Sequence, residues 1–301
     1  MSAASLDRRG LWAAAGAFVV WGLMPLYWHL LKAVPSLQIV LHRVAWGTVT
    51  VCAWLWWKQG RGWVAQTLRQ PRAAAMLAVS GLLIAFNWSL YIWAVNAGHV
   101  IETSLGYFIN PLVNVVLGVA LLHERLNRTQ WVAVGIAALG VLWLTFNYGS
   151  FPWIALLLAG SFALYGLVRK LVAVDAVAGL GVENLYLFLP ALAWLGWIEA
   201  HGGAIASGAG VGTVALLAFG GVLTVLPLVG FAYGVRRIPY STVGLLQYIA
   251  PTLQLLCGIL FFREPFGADR AIGFACIWAA LAAYAFDGWR RARRTVAAAA
   301  A

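Results

Sequence analysis

The sequence is poor in charge, and poorest in acid. Of 301 residues only 9 are Asp or Glu and 20 are Lys or Arg, while 63% are hydrophobic. No soluble globular domain carries that balance. The four aspartates (Asp7, Asp175, Asp269, Asp287) sit in loops or near the ends of apolar runs, so no intramembrane aspartate pair offers acid–base chemistry. Neither an HExxH metal pair nor a Gly-x-Ser-x-Gly elbow occurs, which argues against a membrane-embedded metalloprotease or serine hydrolase. Cysteine is scarce too. Cys52, Cys257 and Cys276 lie singly inside apolar runs, a pattern of neither disulfides nor a metal cluster. No cofactor is expected. No polar segment is long enough to bury a core of its own, which argues against an attached receptor or signalling domain.

What the chain has is apolar length. Hydrophobic runs recur every ~25 to 30 residues, and each is near the ~20 residues needed to span a bilayer. Lipid requires each span to satisfy its own backbone, so the expected class is all-α. A β-barrel would show shorter alternating segments. The first run, near 11–31, is too long for a signal-peptide apolar region and reads as retained. The others fall near 36–57, 73–95, 102–122, 130–147, 152–168, 180–199, 212–234, 241–262 and 271–287. Ten helices are expected. A short cytoplasmic N-terminus (1–10) precedes two five-helix units (11–148 and 149–288), and a basic tail (289–301) follows.

The few charges are sorted by side. With ten spans, 16 of the 20 basic residues share the side of both termini, among them Arg169, Lys170, Arg236, Arg237 and the Arg290–Arg294 cluster. Lys32, Arg263 and Arg270 lie opposite, and Arg43 lies within a span. The positive-inside rule places both termini in the cytoplasm. This distribution accounts for the net charge of +11 without a nucleic-acid partner.

The chain also repeats itself. A shift of 140 residues lays Asn87–Gly135 on Pro227–Ala275 without a gap, matching Ile109 to Ile249, Pro111 to Pro251, Gly118 to Gly258 and Glu124 to Glu264. Residue 87 lies in the third span and 227 in the eighth. Five spans is an odd number, so the second copy runs upside-down. An inverted repeat in a very apolar chain is the signature of a transporter.

Trp21–Tyr27, His42–Trp46, Asn87-Trp88, Tyr91–Asn96, Ser104–Pro111, Tyr165–Lys170 and Leu246–Thr252 carry a resemblance. They are similar to the RarD group within the EamA branch of the drug/metabolite transporter superfamily. The resemblance spans about residues 10 to 288 and departs at His99 and Asn184. It implies a multi-pass permease of the bacterial inner membrane, built of two inverted five-helix repeats with a central substrate path. It also carries a label tied to chloramphenicol sensitivity, which names no substrate. Efflux of a small metabolite or drug by alternating access is the function expected from it.

Candidate site residues follow from polarity inside the spans. Arg43 lies seven residues into the second span, about 10 Å down the helix. An intramembrane charge is costly and faces a cavity or a partner; Glu102 and Glu183 are the partners to weigh. The fourth span puts Tyr107, Asn110 and Asn114 on one face, and the ninth puts Gln247, Pro251 and Gln254 on the equivalent face. Asn87 and Tyr91 form a similar pair on the third span, and Tyr248 is the mate of Phe108. A midplane site between two repeats would show such paired stripes, whose bland alternative is helix-to-helix hydrogen bonding. Pro111 and Pro251 free the carbonyls of Tyr107 and Gln247 and predict kinks. Trp88, Trp93 and Tyr165 are rings that a cargo could stack on. Glu183-Asn184 reads as the cap of the seventh span, with proton coupling as the sharper alternative. Glu124 reads as a local pair with Arg125. The fifth and tenth spans are almost free of polar residues. Ala275, Ala279 and Ala283 form a small-residue seam there, for scaffold or homodimer contact.

Overall fold

The computed structural model describes residues 7–97, 99–147, 151–202, 210–261, 263 and 267–300, and among these every regular element is helical. In chain order they are α1 (Arg8–Leu30), α2 (Ser36–Gln59), α3 (Trp63–Leu68), α4 (Pro71–Asn96), α5 (Val100–Ala120) and α6 (Arg128–Phe146). Then follow α7 (Trp153–Leu171), α8 (Ala176–Ala200), α9 (Val211–Val235), α10 (Tyr240–Gln247), α11 (Ile249–Leu260) and α12 (Ala268–Ala300). Eight helices are long and apolar enough to cross a membrane, counting Tyr240–Leu260 as one. α5 and α12 carry shorter apolar stretches, Leu105–Ala120 and Ala271–Asp287. Leu82, Leu139 and Leu226 are exposed in the middle of long helices, where lipid is the medium that suits them. The protein is an integral membrane protein.

The termini of the helices show why they begin where they do. Asp7 accepts from the amides of Arg9 and Gly10 to start α1. Asn127 and Gln130 form a reciprocal capping box on α6, which satisfies two amides that the first turn leaves open. Asp175 accepts from the amides of Val177 and Ala178 and starts α8. This overturns the expected role of Glu183-Asn184 as that helix's cap: both are buried, two turns inside α8.

The two prolines expected to kink their helices behave differently. Pro111 lies inside a continuous α5. Ahead of Pro251, the ninth span breaks at Tyr248 into α10 and α11. There the Tyr248 amide turns back to the Leu245 carbonyl, at 3.3 Å. A second difference lies in α12. Ala275 and Ala279 are exposed; the face that meets α6 carries Gly273, Phe274, Ile277 and Ala280 against Ala133, Ala137 and Val141. Ala275 and Ala279 of the expected seam are therefore turned away from the contact, while Ala283 packs at its edge.

The core lies where the two halves of the chain meet. α1 packs on α9 and α4 on α7; α2 packs on α9 and α4 on α8; α5 packs on α7 and α1 on α11. α2 with α8, α5 with α10 and α6 with α12 close the set. Phe18, Trp21, Phe162, Tyr165 and Phe231 form one aromatic cluster across α1, α7 and α9, with ring centroids 5.5–6.1 Å apart.

Candidate functional site

A cavity of about 250 Å³ lies between the halves, walled by α1, α2, α4, α5, α7, α9, α10 and α11. Its one charged wall residue, among the described residues, is Arg43. The position of Arg43 follows from a close helix crossing. Gly221 has no side chain, and a Cβ there would come within 2.5 Å of the Trp46 backbone and 2.6 Å of the Gly47 amide. α9 and α2 therefore touch backbone to backbone. One turn on, Thr224 meets Arg43, and Nε donates to Thr224 Oγ1 at 2.9 Å. That hydroxyl donates in turn to the Gly220 carbonyl at 2.7 Å, which leaves its lone pairs for the arginine. The guanidinium carbon lies 4.9 Å from the Trp28 ring centroid and 5.0 Å from that of Trp88, so both indoles cover the cation. Among the described residues no carboxylate reaches Arg43. The side chain of Glu102 lies outside them, and Glu183 is engaged elsewhere.

The polar stripes converge on the same space. Asn87, Tyr91, Tyr107, Asn110, Gln247 and Gln254 join Arg43 on the wall. Asn87 Nδ2 donates to the Leu158 carbonyl and to Ser161 Oγ, both at 2.9 Å. Asn110 Nδ2 donates to the Ala159 carbonyl at 2.6 Å. Both asparagines thus tie their helices to α7 while lining the cavity. Tyr91 and Tyr107 meet edge to face at 6.1 Å. Gln254 Nε2 donates to the Trp21 carbonyl at 3.3 Å.

Two of the candidates lie behind the wall. Asn114 is fully buried and donates to Gln247 Oε1 at 2.6 Å. Tyr248 is also fully buried, and its hydroxyl donates to the Phe108 carbonyl at 3.2 Å. Of the rings singled out for stacking, Trp88 is on the wall. Trp93 is exposed and packs on His99 and Trp153, and Tyr165 packs on Phe231 away from the wall. Sequence reasoning missed Trp21, Trp28, Phe162 and Thr224. In a chain with 17 tryptophans nothing local separates a cavity ring from a lipid-facing one.

The cavity occupies one end of the bundle. Its wall uses the C-terminal parts of α1 and α4 and the N-terminal parts of α2, α5 and α7. The opposite end is stitched shut. Glu124, just past α5, accepts from the amides of Tyr240 and Ser241 at 2.5 and 2.9 Å and from Ser241 Oγ at 2.7 Å. This cross-chain cap replaces the local pair with Arg125. Lys170 Nζ donates to the carbonyls of Val235 and Ile238 at 2.9 and 2.8 Å. Tyr240 Oη donates to the Ala163 carbonyl at 2.5 Å.

The sequence finds its relatives at nearly full length. It is 45% identical over 295 residues to Protein RarD of Streptomyces exfoliatus, covering 98% of this chain and 94% of that one. The chain belongs to the RarD group of the EamA-like transporter family. The match to that family covers residues 8–146. An uncharacterized transporter of Bacillus subtilis, YojE, is 45% identical over 296 residues, 96% of this chain and 98% of its own. A crystal structure covering 91% of this chain and 96% of its own aligns with TM-score 0.67 at 19% identity, a likeness of fold.

This RarD-group chain holds a second buried charge site that the cavity does not use. Arg169 Nη1 and Glu183 Oε1 pair at 3.2 Å, with the side chains 1% and 2% exposed. Ser80 Oγ donates to the same carboxylate oxygen, and Arg169 Nη2 donates to the Ala176 carbonyl at 2.7 Å. Arg169, expected in a cytoplasmic loop, is therefore a core residue.

Proposed function

We propose that this chain is a permease that moves a small organic solute by alternating access, as ten spans in two inverted five-helix repeats. α10 and α11 then form one broken span and α3 stays at the surface. The cavity carries the proposal: it holds a half-buried cation with no carboxylate partner among the described residues, lies between the halves and is closed at one end. Two further observations support the repeat. Exchanging the units (α1 with α7, α2 with α8, α4 with α9, α5 with α10 and α11, α6 with α12) maps each main packing pair onto another or onto itself. His123 and Arg263, mates at a shift of 140, are also the non-glycine residues with left-handed backbone among the described residues, both at φ 53°. Arg43, Asn87, Tyr91, Tyr107, Asn110, Gln247 and Gln254 contact the cargo in this reading, and Asn114 and Tyr248 support them. Transport into vesicles from a metabolite panel, with and without a pH gradient, tests it. Uptake that matches empty vesicles for every solute would remove the proposal.

Orientation is separately testable. Both termini are cytoplasmic in this reading, so the cavity faces outward. In a cysteine-free background, His201→Cys is expected to react with an impermeant maleimide in intact cells, whereas Arg61→Cys reacts only after lysis. The reverse pattern would turn the protein over.

A further inference from the structure

We propose that the cargo of this cavity is a compact organic monoanion, a carboxylate on an aryl or branched apolar body, seized by the free edge of the Arg43 guanidinium. The inference rests on reading the cavity as the transport site and goes on to name what fits it. Arginine remains protonated under all ordinary conditions. Its guanidinium carbon lies 4.9 and 5.0 Å from the ring centroids of Trp28 and Trp88, and its Nε–H is spent on Thr224. What remains is the terminal fork of N–H groups, which has no partner among the described residues. A planar fork with parallel donors matches the two oxygens of a carboxylate.

Charge balance narrows the class. Arg43 is the only charged residue on the described wall, and an intramembrane charge is costly unless it faces a cavity or a partner. A monoanion brings the cavity to neutrality. A dianion overshoots by one, and a cation doubles the unmatched charge. A zwitterion brings an ammonium for which the described wall has no carboxylate. The uncharged part of the wall sets the body: Phe18, Trp21, Met24, Phe162 and Leu228 are apolar, Tyr91 and Tyr107 bring hydroxyls, and Asn87, Asn110, Gln247 and Gln254 have amide groups already engaged with the protein. The volume of about 250 Å³ is near the low end of small-molecule pockets, ~300–1,000 Å³, which suits a compact solute rather than a nucleotide.

The test is binding to the purified full-length protein in detergent, read by quenching of the tryptophan fluorescence and by calorimetry. Benzoate, phenylacetate and 3-methylbutanoate are set against benzamide, benzylamine and phenylalanine. The carboxylates are expected to bind at least about tenfold more tightly than the amide, the value of one charge-assisted contact. Arg43→Lys is expected to weaken them, and Arg43→Gln to abolish binding in protein that stays monodisperse. Thermal unfolding and elution volume of both variants separate lost binding from lost fold. If Arg43→Gln fails to fold, Arg43→Lys carries the comparison alone. Amide, amine or phenylalanine binding as well as the carboxylates, no binding by any member, or unchanged affinity in Arg43→Lys and Arg43→Gln overturns the monoanion site. Carboxylate binding without vesicle transport would remove the transport reading and leave the site standing. Transport of neutral or cationic solutes alone would do the opposite.

Discussion

Glu183→Ala is expected to cost the folded protein roughly 3–5 kcal/mol, because it strands Arg169 as an unmatched charge in the core. The pair sits where α7, α8 and α4 meet, and at 1% and 2% exposure neither group can turn to solvent. Ser80 Oγ loses one of its two acceptors in the same substitution and keeps the Leu77 carbonyl. The measurement is thermal unfolding in detergent, together with the yield of monodisperse protein from membranes. Removing the charge from both sides at once, in Glu183→Leu with Arg169→Met, is expected to recover most of the loss. An apolar pair of similar volume is often as stable as the buried ion pair it replaces. A proton-coupling role makes a different prediction. Glu183→Gln would then fold as well as the parent yet lose any dependence of transport on the pH gradient.

The sequence made the cavity legible because polar residues inside its spans are rare. Arg43, Asn87, Asn110 and Gln247 stood out against an apolar background, and helical spacing put the stripes on single faces. The same sparseness hid the Arg169–Glu183 pair. Arg169 adjoins Lys170 in what reads as a basic loop, and Glu183 sits near the start of an apolar run. The structure extends α7 to Leu171 and begins α8 at Ala176, so a short connector folds both charges inward. Helix boundaries are set by caps such as Asp175, and these are weak signals in a chain where hydropathy dominates. Trp28 and Trp88 were illegible as a pair for another reason. They cover one cation from α1 and α4, and only the tertiary crossing of α2 with α9 brings that cation between them.

Glu124 was misread because adjacency was taken for contact. Its partners, Tyr240 and Ser241, lie 116 and 117 residues away in the other half of the chain. The left-handed turn at His123 reverses the chain, and the Glu124 amide closes onto the Gly118 carbonyl at 3.0 Å. The side chain then lies along α5, where a Cβ on Gly118 would stand 2.8 Å from its carboxylate. From there it fills the N-terminus of α10, whose open amides and positive dipole end favour an anion.

This cap ties one half to the other only at the closed end, so it stabilises the state with the cavity open at the opposite end. Glu124→Ala is therefore expected to shift the balance of states. Each hydrogen bond to a charged group is worth ~1.5–3 kcal/mol, so the ratio should move by about tenfold to a hundredfold. Gln254 lines the open cavity and Asn114 is buried; in the proposed inverted repeat they are mates, on helices that run in opposite directions. Single cysteines at these positions, in a cysteine-free background, report the two ends. With Glu124 present, position 254 is expected to react from the cavity side while 114 is protected. In Glu124→Ala, reaction at 254 falls and reaction at 114 from the opposite side rises. Comparison at constant cysteine position removes the effect of losing the Asn114–Gln247 bond. Both positions rising together would mean a continuous pore, which a carrier cannot tolerate because it would leak. No change at either would reduce Glu124 to a helix cap with no part in the cycle.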